Sequence, residues 1–203
     1  MTYVNAGSLV DTAWVADHLD DPNVRILDGS YHLAATGRNG KAEYQEAHIP
    51  GTIHFDIDAV CDPAPTPSPH MFPSADDFSA AVGAMGISND QRVIVYDADG
   101  LFSAPRVWWM FRAFGHENVA VMTGGFRKWQ AEDRPVTADI PSFAAATFSA
   151  SLDETKLRSI AQIQANIEST EELVLDARAA NRFDGSQPEA RPGVEPGHIP
   201  GST

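Results

Sequence analysis

A four-residue phrase, His-Ile-Pro-Gly, occurs twice in this chain, at His48 to Gly51 and again at His198 to Gly201, 150 residues apart. Each copy follows, by about 20 residues, a short apolar run ending in aspartate: Val24-Arg25-Ile26-Leu27-Asp28 and Leu173-Val174-Leu175-Asp176. Each run is preceded by a segment with helical spacing, from Ser8 in the first copy and from Ser159 in the second. One such phrase carries little weight. Two copies in matching context indicate a domain-sized duplication rather than a solenoid, whose period is about 20–50 residues. The first copy continues for about 80 residues past its phrase, and the second has only Ser202 and Thr203. The second copy is therefore expected to be incomplete, lacking its central strand, the loop behind that strand and at least two helices, and the chain to be a fragment or the ordered part of something longer.

Between these landmarks strands and helices alternate. Val93-Ile94-Val95-Tyr96-Asp97 and Val119-Ala120-Val121-Met122 are apolar without a two-residue alternation, which suits parallel strands buried on both faces. A helix is expected from Ser8, with Asp11 three residues on. Another follows Ser74 and Asp77, where Phe78, Ala81, Val82 and Met85 share a face before Gly86. A third opens at Ser103, with Val107, Met110, Phe111 and Phe114 on one face, and a short fourth runs from Phe126 to Gln130. Alternating units of this kind give an α/β fold, a parallel sheet with helices on both faces, whose ligands sit beyond the carboxyl ends of the strands. Asp28 and Asp97 would stand there. Pro135, Pro141 and the run Ala144-Ala145-Ala146-Thr147 read as a linker. The organisation is thus a first domain over 1–133, a linker over 134–150 and the start of a second domain over 151–203, with 43% hydrophobic residues enough for one full core and part of another.

Charge and cysteine count exclude whole classes. A formal net charge of −14 leaves no electrostatic footprint for nucleic acid or an anionic membrane surface. Cys61 is the only cysteine, so no intrachain disulfide forms, and no Cys/His spacing suggests zinc. Neither a signal peptide nor an apolar run of about 18 residues is visible. The expected setting is the cytoplasm, with no cofactor.

Several segments carry a family resemblance over nearly the whole chain. Val93 to Asp97, Ser103-Ala104-Pro105-Arg106-Val107-Trp108-Trp109-Met110-Phe111-Arg112, Phe114-Gly115-His116, Gly124-Gly125-Phe126-Arg127-Lys128-Trp129 and both His-Ile-Pro-Gly copies resemble two-domain rhodaneses, which include thiosulfate and 3-mercaptopyruvate sulfurtransferases. The resemblance implies a catalytically silent N-terminal domain, with Asp97 standing where a rhodanese cysteine would sit, and places the nucleophilic cysteine beyond Thr203. It implies that a cysteine thiolate takes the outer sulfur of a small-molecule donor, becomes a persulfide and passes the sulfur to cyanide or to a thiol acceptor such as thioredoxin. A curled loop at a helix start suits that chemistry, because inward backbone N–H groups lower the thiol pKa and stabilise anionic sulfur.

Within the family the chain is most similar to the mercaptopyruvate branch. There two arginines, matched by Arg182 and Arg191, hold the substrate carboxylate and carbonyl, a task that suits the planar guanidinium fork. Surface pairing of an arginine with Glu189 or Asp184 is the alternative. Phe55-Asp56-Ile57-Asp58 and His70-Met71-Phe72-Pro73 also resemble that branch, which implies a proton relay through Asp58 and His70. The intervening loop, with Pro63, Pro65, Pro67 and Pro69, departs from the family pattern, and a histidine capping a rigid loop is the alternative for His70. His48 and His198 occur in both copies, which favours packing of a turn. Trp108, Trp109 and Trp129 are expected in the core, and Arg106 in an ion pair with Asp97 or Asp99. Cys61 lies beside Asp58 and Asp62, a poor setting for a thiolate. Competing functions are thiosulfate as donor, a non-catalytic rhodanese module that binds a partner, and a phosphatase-like relative.

Overall fold

A computed structural model describes residues 6–64, 70–189 and 193–203. The chain divides into two compact units between Asp153 and Glu154. In the first, strands β1 (Leu9–Val10), β2 (Val24–Asp28), β3 (Ile53–His54), β4 (Arg92–Tyr96) and β5 (Val119–Met122) form one sheet in the order β1-β5-β4-β2-β3, and every pairing is parallel. Helices α1 (Thr12–Asp17), α2 (Gly40–Glu46), α3 (Ala75–Ala84), α4 (Ala104–Ala113) and α5 (Gly125–Ala131) connect the strands.

The unalternated apolar runs are explained by cover on both faces. Val93 and Val95 of β4 pack with Phe78 of α3 and with Val107, Met110 and Phe111 of α4, while Ile94 and Tyr96 face Val15, Ile49 and Trp129. Burying each such side chain contributes about 1.5–3 kcal/mol. The two layers bring every strand's carboxyl end to one edge of the sheet, so Asp28, His54 and the residues after Tyr96 gather there.

Two local expectations are corrected. The segment from Ser8 does not open a helix: Leu9 and Val10 pair with Val121 and Met122 as an edge strand, and Asp11 caps α1 by accepting from the Trp14 amide at 2.7 Å. Two apolar residues beside an open strand edge are better satisfied by the sheet than by a helical turn. Trp109 is about one-third exposed rather than in the core. Ser74 caps α3 through the Asp77 amide as expected. The 134–150 stretch lies along the first unit. Thr137 and His48 exchange backbone bonds of 2.8 and 2.9 Å, the Ala146 amide donates to Gly83, and Phe148 is buried against Phe78 and Phe111. A Cβ on Gly83 would lie 2.6 Å from the Ala146 carbonyl, so this close approach requires glycine.

The second unit holds α6 (Ile160–Ser169), opened by a Ser159–Gln162 capping box, and the short α7 (Ala180–Phe183). Its geometry repeats that of the first. Ile49 and Thr52 close a turn over Pro50 and Gly51, and Ile199 and Ser202 close one over Pro200 and Gly201. Both central glycines have positive φ, 75° and 82°, the arrangement of a type II turn. Thr203 then sits opposite Leu175, held by bonds to Val174 and Asp176, as Ile53 sits opposite Leu27. The 173–176 run gains no further strand partner among the described residues, and Leu173 and Leu175 stay more than 70% exposed. No helix among the described residues is long and apolar enough to cross a membrane.

One ion cluster ties the sheet edge together. The Thr12 hydroxyl donates to Glu132 at 2.6 Å, and Arg134 lies 2.5 Å from the same carboxylate. The Thr12 and Arg134 hydrogen bonds lower the Glu132 carboxyl from 4.5 to about 2. A carboxyl held below its unfolded value stabilises the fold above the unfolded value, and that contribution disappears as pH falls through the folded one. Glu132→Gln is therefore expected to be less stable than the parent at pH 7, with the difference shrinking from pH 4.5 towards pH 2. Urea unfolding across pH 7 to 3 checks this, and a difference that stays constant with pH would count against it.

Candidate functional site

The loop after β4 is built around one buried carboxylate. Asp97 is 1% exposed. Its Oδ1 accepts from the Gly100 amide at 2.5 Å, and its Oδ2 accepts from the amides of Phe102, Ser103 and Ala104, each at 2.8 Å. The loop thus curls its backbone N–H groups inward at the start of α4, the geometry that binds anions, and the anion is the chain's own side chain. Ser103 makes no side-chain cap; its hydroxyl accepts from the Tyr31 amide at 3.1 Å. The loop is seated on Gly124 and Gly125, whose φ values are 86° and 58°, and the Phe126 amide donates to the Asp97 carbonyl at 2.8 Å.

The expected ion pair of Arg106 with Asp97 or Asp99 is absent. Asp97 spends its oxygens on four amides, and Asp99 pairs with Arg38 at 3.1 Å. The Arg106 guanidinium points instead at the segment carrying His70, donating from Nη2 to the His70 carbonyl and lying 5.8 Å from the centre of the Phe72 ring.

Asp58 and His70, placed 12 residues apart, are brought together: His70 Nε2 lies 2.5 Å from Asp58 Oδ1. An ionised carboxylate can only accept, so this contact puts the proton on Nε2 in the neutral ring and leaves Nδ1 as an acceptor. The Tyr31 ring meets the His70 ring edge-on at 5.1 Å. Asp58 is placed by a turn in which Asp56 accepts from the Asp58 and Ala59 amides. Cys61, half-buried, donates to the Asp58 carbonyl at 3.1 Å. Beside Asp58 a cavity of about 140 Å³ is lined by Ser30, Lys41, His54 and Asp56 among others. Burial lowers the His54 imidazole, which lines the cavity, and raises the carboxyl of Asp28, its strand neighbour, so both favour the neutral form. His48 is fully buried, with its ring nitrogens 2.6 and 3.2 Å from the Tyr44 and Asp139 carbonyls, a packing role.

In the second unit Arg182 grips a carboxylate, that of Glu189. Its Nη2 and Nε lie 2.5 and 3.3 Å from the two Glu189 oxygens. Glu189 also receives Arg178 at 2.8 Å, and Arg178 in turn binds Asp176 and the Gly197 carbonyl. The Arg182 bond pulls the Glu189 carboxyl down, and Arg178 pulls Asp176 down to about 2. Arg191 lies outside the described residues. His198 stacks on Phe183 at 3.9 Å and bonds its carbonyl, again a packing arrangement. The Arg182–Glu189 pair is the alternative that the sequence left open for that arginine. Sequence reasoning missed Tyr31 and Arg178 as neighbours of the candidate residues, and the Asp176-Ala177-Arg178 spacing was the available signal for Arg178.

The sequence profile of the rhodanese-like domain matches residues 11–132, which is more than half of the chain. The chain belongs to the rhodanese family. It is 44% identical over 201 residues to the 3-mercaptopyruvate sulfurtransferase of Rattus norvegicus, covering 96% of this chain and 67% of that protein. It is equally similar, 44% over 202 residues with the same coverage, to the thiosulfate sulfurtransferase of Bos taurus. Among solved structures, SseA from Escherichia coli, described as a 3-mercaptopyruvate sulfotransferase with the rhodanese fold, superposes with a TM-score of 0.87 at 34% identity, covering 96% of this chain and 73% of SseA. The parallel sheet expected from the alternating elements and the rhodanese fold implied by the resemblance are therefore the fold observed.

Removing the Asp97 carboxylate leaves four converging amides without their acceptor. Asp97→Ala is expected to destabilise the first unit by about 3 kcal/mol, and Asp97→Asn, which keeps one acceptor oxygen, by less. Denaturant unfolding monitored by tryptophan fluorescence measures both. Two variants within about 0.5 kcal/mol of the parent, the usual range for inconsequential surface changes, would show that the loop does not depend on this acceptor.

Proposed function

We propose that this rhodanese-family chain supplies the N-terminal domain and half of the substrate site of a cytoplasmic, tandem-domain sulfurtransferase acting on 3-mercaptopyruvate. The observation that carries the reading is the Asp58–His70 hydrogen bond at the carboxyl edge of the sheet. Curated relatives with that activity at 44% identity support it.

In this reading the nucleophilic cysteine lies beyond residue 203. Its thiolate attacks the donor sulfur, the carbon–sulfur bond breaks, and the electron pair leaves on carbon as the enolate of pyruvate. The enolate takes up a proton, and the cysteine carries the sulfur as a persulfide. A thiol acceptor, for which thioredoxin has the right chemistry, then attacks the outer sulfur and releases the cysteine thiolate; cyanide leaves as thiocyanate. Arg182 and Arg191 hold the substrate carboxylate and carbonyl. The Glu189 grip displays the geometry of such a hold, and substrate would compete with Glu189 for Arg182. Asp58 fixes the His70 tautomer, and His70 moves the proton.

Thiosulfate as donor is the second reading, favoured by the equal identity to thiosulfate sulfurtransferases. Gly-Ser after the nucleophilic cysteine points to mercaptopyruvate, and Arg-Lys to thiosulfate.

In the protein that carries the cysteine loop, His70→Asn is expected to lower kcat with 3-mercaptopyruvate about 10²-fold, the size of a general acid–base contribution, with a smaller effect on thiosulfate. Arg182→Met is expected chiefly to raise KM for mercaptopyruvate, as loss of uniform substrate binding does. Steady-state assays with both donors test this; equal loss with both donors in His70→Asn removes the relay. A polypeptide of these 203 residues alone is expected to form no thiocyanate from cyanide with either donor. Turnover by that chain would return the nucleophile's role to Cys61.

A further inference from the structure

We infer that Arg106 is a positioning residue for His70, holding the loop backbone in the conformation that delivers the imidazole to Asp58. The inference deepens the relay reading above and rests on it.

His70 is one of four non-glycine residues at positive φ among the described residues, at 61°. A side chain in this left-handed region is uncommon and costs of order 1 kcal/mol or more, so it persists only where surrounding contacts impose it. Three contacts do so here. Arg106 donates to the His70 carbonyl, the Asp62 amide donates to the Met71 carbonyl at 2.9 Å, and the His70 ring meets Asp58. Of these, only Arg106 reaches in from outside the loop, from the first turn of α4 just after Pro105. The other two join Asp58 and Asp62 to His70 and Met71.

The chemistry of Arg106 is otherwise hard to account for. Its guanidinium is half-buried, and its Nε is buried with no hydrogen-bond partner among the described residues. Burial holds its pKa below the usual arginine value. A desolvated cation is costly unless paired, and this one faces a backbone carbonyl and the Phe72 ring, with no carboxylate in an ion pair among the described residues. Phe72 in turn lies against Phe114, in the core after α4. The guanidinium therefore joins the rigid helix to the loop on both sides of Met71. Without it the His70 carbonyl is released, the backbone relaxes from positive φ, and the imidazole swings away from Asp58 and from the Tyr31 ring.

The test uses the 203-residue chain labelled with ¹⁵N-histidine, observed by NMR with His70 neutral, so it needs no sulfurtransferase activity. In the parent the ring should be held as the Nε2–H tautomer, with proton contacts to Tyr31. In Arg106→Met the ratio of Nε2–H to Nδ1–H tautomer is expected to fall about fivefold, the loss expected for one net hydrogen bond, and the Tyr31 contacts to vanish. Arg106→Lys, which keeps a charged donor, should retain most of both. An Arg106→Met chain with unchanged amide protection in β4, an unchanged tautomer ratio and intact Tyr31 contacts overturns the inference. If Arg106→Met does not fold, Arg106→Lys and Arg106→Gln decide: a ratio falling from parent to Lys to Gln supports the role, and equal ratios overturn it. Asp58→Asn separates the two readings. If it leaves the parental tautomer ratio unchanged, the Asp58–His70 relay fails whatever Arg106 does.

Discussion

The Asp97 carboxylate, buried and accepting four backbone amides, is the contact on which the active edge of the first unit depends. It ends β4, caps α4 and fixes the curl of the loop between them, and the Asp97 carbonyl binds α5 through Phe126. An ionised acceptor shared among four amides is stronger than neutral hydrogen bonds would be, and in a buried loop each unpaired amide is costly. The same fact determines what the loop cannot do. Its N–H groups converge as an anion site requires, but the site is already filled by a covalently attached anion. The first unit therefore has the architecture of a rhodanese loop without room for an anionic sulfur.

The Asp58–His70 pair stands two strands along the same edge, beyond β3. The His-Ile-Pro-Gly turn is what aims the neighbouring chain. Buried His48 and Tyr44 clamp it, Tyr44 donating to the Thr52 carbonyl at 2.8 Å, and the type II geometry launches β3 beside β2. Two residues after β3 the Asp56 turn begins and places Asp58 at the sheet's carboxyl edge. His70 then returns to it under the hold of Arg106. The scaffold of this arrangement is the sheet and α4, and Asp58 and His70 sit on segments that this scaffold orients.

Much of this was legible in the sequence, and the failures have physical causes. The parallel sheet followed from β-branched runs that need cover on both faces, and Ser74 and Ser159 marked helix starts because their hydroxyls meet amides three residues on. Ser8 misled, because a capping pattern says nothing of whether the next two apolar residues have a strand edge to join. Asp11 served as the cap instead. Arg106 misled for a related reason: sequence proximity to Asp97 and Asp99 suggested an ion pair, but backbone amides had already satisfied Asp97 and Arg38 had engaged Asp99. Pairings that depend on what else competes for an acceptor are invisible before the fold is known. Asp58 and His70 could be matched only through the family pattern, since nothing in their spacing brings them together. The 134–150 stretch lacks periodicity because it packs by backbone bonds and by two isolated side chains, Phe143 under Arg25 and Phe148 in the core.

The second unit shares local geometry with the first. It repeats the turn, the positive φ of its glycine and the register of the strand beside it, although only 50 residues separate Glu154 from the end at Thr203. What differs is the carboxyl edge. Where β2 ends in a buried Asp28 next to His54, the matching run ends in Asp176, and two arginines follow it, Arg178 and Arg182, converging on Glu189. Two cations thus surround one carboxylate. The first unit has a counterpart after β2: Glu43 receives Arg38 at 2.7 and 2.8 Å through its two oxygens and lies 2.9 Å from His32. Each unit therefore sets its own carboxylate in the stretch after this run, Glu43 under Arg38 and His32 in the first and Glu189 under Arg178 and Arg182 in the second, and the difference between them is that the second uses two guanidinium groups where the first uses one.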